Sequence, residues 1–174
     1  MTAEKPLINR VANSGIKVIN LEELYPEKDI VAFDLKPFLH MELILKEKLF
    51  RASLKELDWS EYSDRIVLIH NSTEAIIPVW AYMLVSVYLE NIAFDVFQGS
   101  KEEYLKQYYI KEITKVDFSD YEEQRVVIKG CSNKPVPPAA YSEVTRRLKP
   151  YAQSIMYGEP CSTVPIFKRP RKLK

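Results

Sequence analysis

Two cysteines and a histidine are the residues whose types and spacing could do chemistry in this chain. The 174-residue sequence has two cysteines, and they lie in similar phrases, VVIKGCSNKPVP around Cys131 and SIMYGEPCSTVP around Cys161. Each phrase leads from an apolar stretch through a glycine to Cys-Ser and then to Val-Pro. Two thiols can share a metal ion, and a single thiol beside a base or a helix N-terminus can act as a nucleophile.

The hydrophobic pattern around these phrases predicts alternating strands and helices. Apolar runs predict strands over residues 30–35, 65–70, 92–99, 125–130 and 154–158. Between them, helical periodicity predicts helices over 45–57, 71–91, 101–113 and 136–151, the second of them buried on all sides. The order is typical of an α/β fold, a three-layer sandwich with a mainly parallel sheet. Beyond the two cysteine phrases, we identify no internal repeat.

The two ends of the chain have a different character. Residues 1–29 predict an irregular N-terminal segment that wraps the fold, with one edge strand at 17–21. Residues 1–167 are expected to form a single domain, because their length suits one core. Residues 168–174 carry five positive charges and predict a basic, disordered tail.

The strand order would bring the candidate residues to one edge of the sheet. Parallel strands end at the same edge, where open α/β sheets bind ligands. We therefore expect a pocket lined by residues 71–74, 131–134 and 159–162, with Cys131, Cys161 and His70 as ligands of zinc, iron or an iron–sulfur cluster. Ser132, Lys134 and Ser162 are the expected cofactor-binding residues. The amides around Lys134 could form a nest for an anion.

Local geometry supports loops at this edge. Glycines 130 and 158 would let the backbone turn where each strand ends. We also expect four prolines to keep the loops out of the strand ladder, since proline cannot donate a ladder hydrogen bond: Pro135, Pro137, Pro160 and Pro165. The helix after the second strand should take Asn71, Ser72 or Thr73 as its N-cap.

Three functions remain open at this point, so whether the chain is an enzyme is undecided. The leading hypothesis is an accessory protein that holds a metal or handles sulfur or a cluster through Cys131 and Cys161. A thiol-dependent enzyme would use Cys131 as its nucleophile, activated by the helix that follows it. A protein-interaction module would need neither thiol, and free cysteines often serve as small hydrophobic residues.

The composition and the two ends of the sequence predict the cellular location and the partners of the protein. The first residues show no signal peptide, and no apolar run is long enough to span a membrane, so a cytoplasmic protein with reduced thiols is expected. A basic tail without interleaved aromatics is a weak footprint, so nucleic acid is not expected as a partner. Eleven tyrosines could supply interface area for a homodimer.

The phrases also carry a family resemblance. The segments NRVANSG, LILKEK, DWSEY and AIIPVWAYML, with both cysteine phrases and the basic end, resemble a bacterial family known as domain of unknown function 2480. The resemblance covers almost the whole chain. It names no activity and no functional residue, and it implies iron–sulfur assembly proteins as partners, which would suit two thiols at a sheet edge.

Overall fold

The computed structural model describes residues 15–130, 132–159 and 161–170. Contacts between Cα atoms divide the chain into two compact units. The middle unit is Pro26–Leu105, and the terminal unit combines Met1–Tyr25 with Lys106–Lys174. Two compact units within one chain need not fold independently, so the expectation of a single domain stays a prediction.

The described residues form mixed α/β structure. The strands are, in chain order, β1 Ile16–Asn20, β2 Ile30–Asp34, β3 Leu39–His40, β4 Ile44–Leu45, β5 Ile66–His70, β6 Asp95–Gln98, β7 Arg125–Lys129, β8 Ser154–Glu159 and β9 Ser162–Lys168. The α-helices are α1 Glu47–Glu56, α2 Val79–Leu89, α3 Lys101–Lys115 and α4 Pro138–Leu148. The predicted α/β class with mainly parallel pairing is confirmed.

The middle unit is built on a three-stranded parallel sheet in the order β2-β5-β6. Strand β5 is continuously apolar, as suits a central strand covered on both faces. Its residues Val67 and Ile69 pack with Phe33 of β2 and with the buried side chains of α1 and α2. In α1 the buried residues are Phe50 and Leu54, one helical turn apart, so the amphipathic spacing seen in the sequence is the packing face.

The terminal unit is built on a four-stranded sheet in the order β1-β7-β8-β9. Strands β1, β7 and β8 are parallel, and β9 pairs antiparallel with β8 at the edge. The sequence pattern did not predict β9, because Pro165 argued against a strand. Proline is tolerated here because β9 is an edge strand and its register with β8 shifts at Ile155/Met156. The expectation that Pro165 stays outside the ladder is therefore wrong.

The two units repeat the same elements at a constant spacing of 59 residues. Strands β5 and β7 begin at 66 and 125, helices α2 and α4 at 79 and 138, and strands β6 and β8 at 95 and 154. Burial repeats with them: Ala81, Val85 and Leu89 of α2 are fully buried, and so are their counterparts in α4, Ala140, Val144 and Leu148, to within 1%.

Hydrogen bonds repeat at the same spacing. A short 3-10 turn precedes each central strand, and in each turn an aspartate side chain accepts a hydrogen bond from a serine amide, Ser60 to Asp58 at 3.0 Å and Ser119 to Asp117 at 2.9 Å. The expectation of no internal repeat beyond the cysteine phrases is wrong. The true counterpart of the Cys131 loop is the loop at Asn71–Thr73.

Helix α2 also departs from the sequence prediction at its start. It begins at Val79 after Pro78, eight residues beyond Asn71, so none of Asn71, Ser72 and Thr73 is its N-cap. Proline disfavours helical geometry in the residue before it, which ends any helix starting earlier. The Asn71 side chain is instead bonded within its own loop, and its amide nitrogen donates to the carbonyls of Thr73 and Ala75.

Candidate functional site

In the terminal unit, the loop after β7 is held by a carboxylate. The amides of Ser132 and Asn133 donate to Oε1 of Glu22, the latter at 3.0 Å. The pKa of Glu22 is lowered, with the hydrogen bond from the Asn133 amide as the largest cause. Desolvation opposes it as the next largest effect, and the Ser132 amide lowers the pKa further. These backbone N–H groups, which we expected to bind an external anion, thus donate their hydrogen bonds to a side chain of the same unit.

Two lysines at and after the end of β7 also have partners within the terminal unit. Lys134 Nζ lies 5.3 Å from the centre of the Tyr25 ring, a cation–π distance. Lys129 Nζ lies 3.4 Å from Oε2 of Glu159 at the end of β8. This ion pair joins the ends of β7 and β8, so the loop after β7 and the turn after β8 lie at the same edge of the four-stranded sheet.

The structure places part of the predicted two-cysteine site. Cys161 is exposed in the turn between β8 and β9, and Ser162, also exposed, begins β9 opposite Glu159. Cys131 and Pro160 lie outside the described residues. Among the residues that are described, no group of three His, Cys, Asp or Glu side chains could hold a metal ion.

His70 ends a strand of a different sheet. We expected the strands that end near Ile69, Lys129 and Tyr157 to share one sheet, but β5 belongs to the three-stranded sheet and β7 and β8 to the four-stranded one. We expected His70 to share one sheet edge with residues 131–134 and 159–162. That expectation is wrong, because His70 ends a strand of a different sheet. The reason is the repeat, because each unit builds its own sheet around its own central strand.

The edge that His70 does occupy carries a second carboxylate clamp. Asp34 accepts hydrogen bonds from the backbone amides of Lys36 and Ser72 at 3.0 Å each, and from the Ser72 hydroxyl at 2.5 Å. Desolvation is the largest single effect on the pKa of Asp34, and it raises the pKa. The hydrogen bonds, led by the one from the Ser72 hydroxyl, outweigh it together, so the pKa of Asp34 is lowered. In each unit, then, a carboxylate at the end of the first strand (Asp34) or just after it (Glu22) fixes the loop after the central strand.

Beside this clamp, the middle unit has a pocket of about 710 Å³. Its lining includes His70, Thr73, Tyr82, Gln98 and Lys101. The size is in the range of small-molecule sites, and the position matches the carboxyl edge of a parallel sheet. Of the predicted pocket residues, Asn71 and Thr73 are part of this lining.

An exposed apolar face on α2 was not found by sequence reasoning. We expected α2 to be buried on all sides, but Val79, Met83 and Val87 are exposed to 74%, 63% and 68%, and Ile76 before the helix to 91%. Val79, Met83 and Val87 lie four residues apart, so they share one face of the helix, and Ile76 precedes them in the chain. The repeat could have revealed this face from the sequence. The counterparts of Val79, Met83 and Val87 in α4 are Pro138, Ser142 and Arg146, and serine and arginine are typical of an exposed position.

Acidic side chains with a lowered pKa serve mainly as caps in the described residues. Hydrogen bonds from the Ser60 hydroxyl and amide lower the pKa of Asp58. The Ser100 amide and hydroxyl do the same for Glu103, which closes a capping box at the start of α3. No polar or charged residue in the described ranges is buried. These shifts are explained by local structure and point to no catalytic pair.

The fold defines a mixed α/β protein of two repeated units, each with a mainly parallel sheet and with a carboxylate clamp on the loop after its central strand. Residues 5–169 match the family described as protein of unknown function (DUF2480), and the chain belongs to that family. This confirms the resemblance drawn from its motifs. No curated protein and no solved structure matches the chain significantly. No helix in the described ranges is long and apolar enough to cross a membrane.

Proposed function

We propose that this protein is a protein-interaction module whose docking surface is the exposed apolar face of α2. The observation that carries the proposal is the row formed by Ile76, Val79, Met83 and Val87. This row is called the α2 face below. Its partner is a protein surface of matching chemistry, apolar and without charge.

The apolar character of the α2 face is not needed to build the unit. Helix α4 occupies the same place in the repeat and buries the same three positions, yet its outer face carries Ser142 and Arg146. Next to them, Glu143 Oε1 accepts hydrogen bonds from Arg146 and Arg147 at 2.7 and 2.6 Å. A polar outer face is thus compatible with the same three buried helix positions, which supports a role other than folding for the apolar side chains of α2.

Contiguity makes the α2 face more than ordinary surface hydrophobicity. Single exposed apolar residues are normal on proteins, whereas contiguous patches of several hundred square ångström are typical of interaction sites. Four neighbouring apolar side chains that are each more than 60% exposed give the α2 face an area on the order of a few hundred square ångström. The half-buried Trp80 and Leu84 adjoin it on the same helix.

A site-specific photocrosslinker tests the proposal in the cells that make the protein. A photoreactive residue at position 87 should yield a discrete protein adduct on illumination. The matched control is position 146, which has the same place in the repeat and is also exposed. Absence of an adduct at 87, or equal adducts at 87 and 146, would contradict docking through the α2 face.

The two-cysteine site is a second proposal: Cys131 and Cys161 would together hold zinc, iron or an iron–sulfur cluster, or pass sulfur to assembly proteins. It is supported by the shared edge of β7 and β8 and by the exposure of Cys161. Two thiolates supply half of a tetrahedral set, and Ser132, Lys134 and Ser162 lie beside them in sequence. A thiol enzyme with Cys131 as nucleophile would use the same loop.

A further inference from the structure

We propose that the partner of the α2 face is a second copy of this chain, packed so that the two α2 faces meet across a twofold axis. This inference rests on the proposed function, since it names the occupant of the same surface. A twofold pair presents the same patch on both sides, so the patch must be complementary to itself. The question is whether charge, area and shape at α2 meet that condition.

The charge of α2 is compatible with a self-complementary patch. The segment VWAYMLVSVYL of α2 contains no ionisable acid or base apart from its tyrosine hydroxyls. Along the helix itself, two copies therefore meet no like charges. The exposed acids Glu74 and Glu90 lie outside it, one before its start and one directly after its end. A charged partner would instead have to desolvate its charges against a surface that offers none in return.

The flanks of the helix argue against a lipid surface as the occupant. Helices that lie on membranes carry lysine and arginine on the polar side, which attract anionic lipids. Helix α2 has no basic residue in its last turn, and exposed acids flank it, Glu74 before it and Glu90 directly after it. An anionic bilayer would repel both.

The area suits a dimer of modest strength. Two α2 faces would remove on the order of 600–800 Å² of apolar surface from water. Adding the exposed parts of Trp80 and Leu84 and a polar rim brings the pair close to about 1,200 Å², the lower end of stable interfaces. Interfaces at this small end of the range are typical of weak, transient pairs, so we expect a dissociation constant in the micromolar range.

The spacing of the face fits helix-on-helix packing. Val79, Met83 and Val87 follow one another at intervals of four residues, which forms a single ridge along α2. Ridges of this kind interlock with the grooves of a second helix at the commonest crossing angle in globular proteins. Met83 is central in the row, and its flexible side chain can fill irregular gaps in such a contact.

The test is the mass of the full chain in solution, measured by sedimentation equilibrium from about 1 to 100 µM, a range that brackets a micromolar dissociation constant. Wild type should shift with concentration from the monomer mass of 20.3 kDa toward twice that value. The variant Met83→Ser/Val87→Arg replaces two residues with those that α4 carries at the same places, and it should stay monomeric throughout. The control Ser142→Ala, on the corresponding face of α4, should dimerise as wild type does.

The outcomes separate this inference from the proposed function. A wild type that is monomeric at 100 µM, or a double variant that dimerises as well as wild type, overturns the second-copy inference. If the adduct at position 87 then has a mass other than twice that of the chain, docking through the α2 face stands with a different partner. If position 87 gives no adduct, both fail. If the double variant loses its helical circular dichroism, the single variant Met83→Ser, which adds no charge, replaces it. A dissociation constant raised at least several-fold by Met83→Ser supports the second-copy inference, and an unchanged dissociation constant overturns it.

Discussion

Replacing Gly158 with alanine should destabilise the terminal unit through a contact that cannot relax. Gly158 has φ of +117°, a region that residues with a Cβ rarely adopt. A Cβ built there would stand 2.6 Å from the carbonyl oxygen of Ser162. That oxygen belongs to the backbone of β9, where Gly158 is paired with Thr163, so it can move away only by opening the β8–β9 pairing.

The magnitude follows from these two causes. A non-glycine residue held in a sparsely populated backbone region costs about 1–3 kcal/mol. The overlap with a backbone atom adds to this, so we expect Gly158→Ala to lower the free energy of unfolding by about 2–3 kcal/mol. Gly130→Ala is the matched control, because Gly130 does not have positive φ and the atoms nearest its Cβ would belong to side chains, Tyr141 Oη at 2.7 Å and Val136 Cγ2 at 3.3 Å, not to the backbone. Its cost should be nearer 1 kcal/mol.

Equilibrium urea unfolding followed by far-ultraviolet circular dichroism measures both variants. The dichroic signal is the right probe because both tryptophans lie in the middle unit, so their fluorescence does not report on residue 158 directly. If Gly158→Ala costs no more than Gly130→Ala, the argument from positive φ and the fixed Ser162 carbonyl is refuted.

Three further predictions concern charge, metal and folding. The pKa of Asp117 is lowered from 3.8 by hydrogen bonds from the Ser119 amide and hydroxyl, so its stabilising contribution is complete above pH 3.8 and is lost as the pH falls through the folded-state pKa. Unfolding measured from pH 5 downward should therefore depend less on pH in Asp117→Asn, and an unchanged pH dependence would contradict this role. Metal analysis of protein purified without chelator should show bound zinc or iron that Cys131→Ser and Cys161→Ser each reduce at least several-fold; equally negligible metal in all three proteins would remove the metal-binding form of the two-cysteine proposal. If residues 1–167 form a single domain, tryptophan fluorescence of the middle unit and circular dichroism of the whole chain should give one coincident urea transition, and two separate midpoints would show two domains.

Much of the local structure could be predicted from sequence because it depends on neighbours in the chain. The continuous apolar run at 66–69 made β5 a central strand, and the spacing of Phe50 and Leu54 made α1 amphipathic, both as found. The Ser-x-x-Glu spacing at residues 100–103 is typical of a capping box, and the Ser100 hydroxyl accepts from the amide of Glu103 at 3.2 Å. Each of these features needs only a few adjacent side chains.

The candidate sites were less accessible to sequence reasoning. The resemblance between the two cysteine phrases suggested that they have the same structural setting, but Cys161 lies in an antiparallel hairpin while the loop after β7 leads into a helix. The shared glycine, Cys-Ser and Val-Pro letters of the two phrases outweighed the weaker but longer similarity of DWSEYSDRIVLI and DFSDYEEQRVVI. That second similarity marks the real repeat, and with it the contrast between α2 and α4.

What the sequence determined by itself was therefore the four helices, the longer parallel strands and their order, since helix and strand periodicity and glycine turns act over a few residues. What the tertiary structure decided was which strands share a sheet and which helix face remains uncovered. His70 and Lys129 end similar strands, yet they belong to different sheets, because β5 pairs with β2 and β7 pairs with β1. Met83 has the same hydrophobic character as its buried neighbours, and its exposure depends on packing between residues far apart in the chain. Pairing and packing of that kind are long-range interactions, and no local pattern encodes them uniquely.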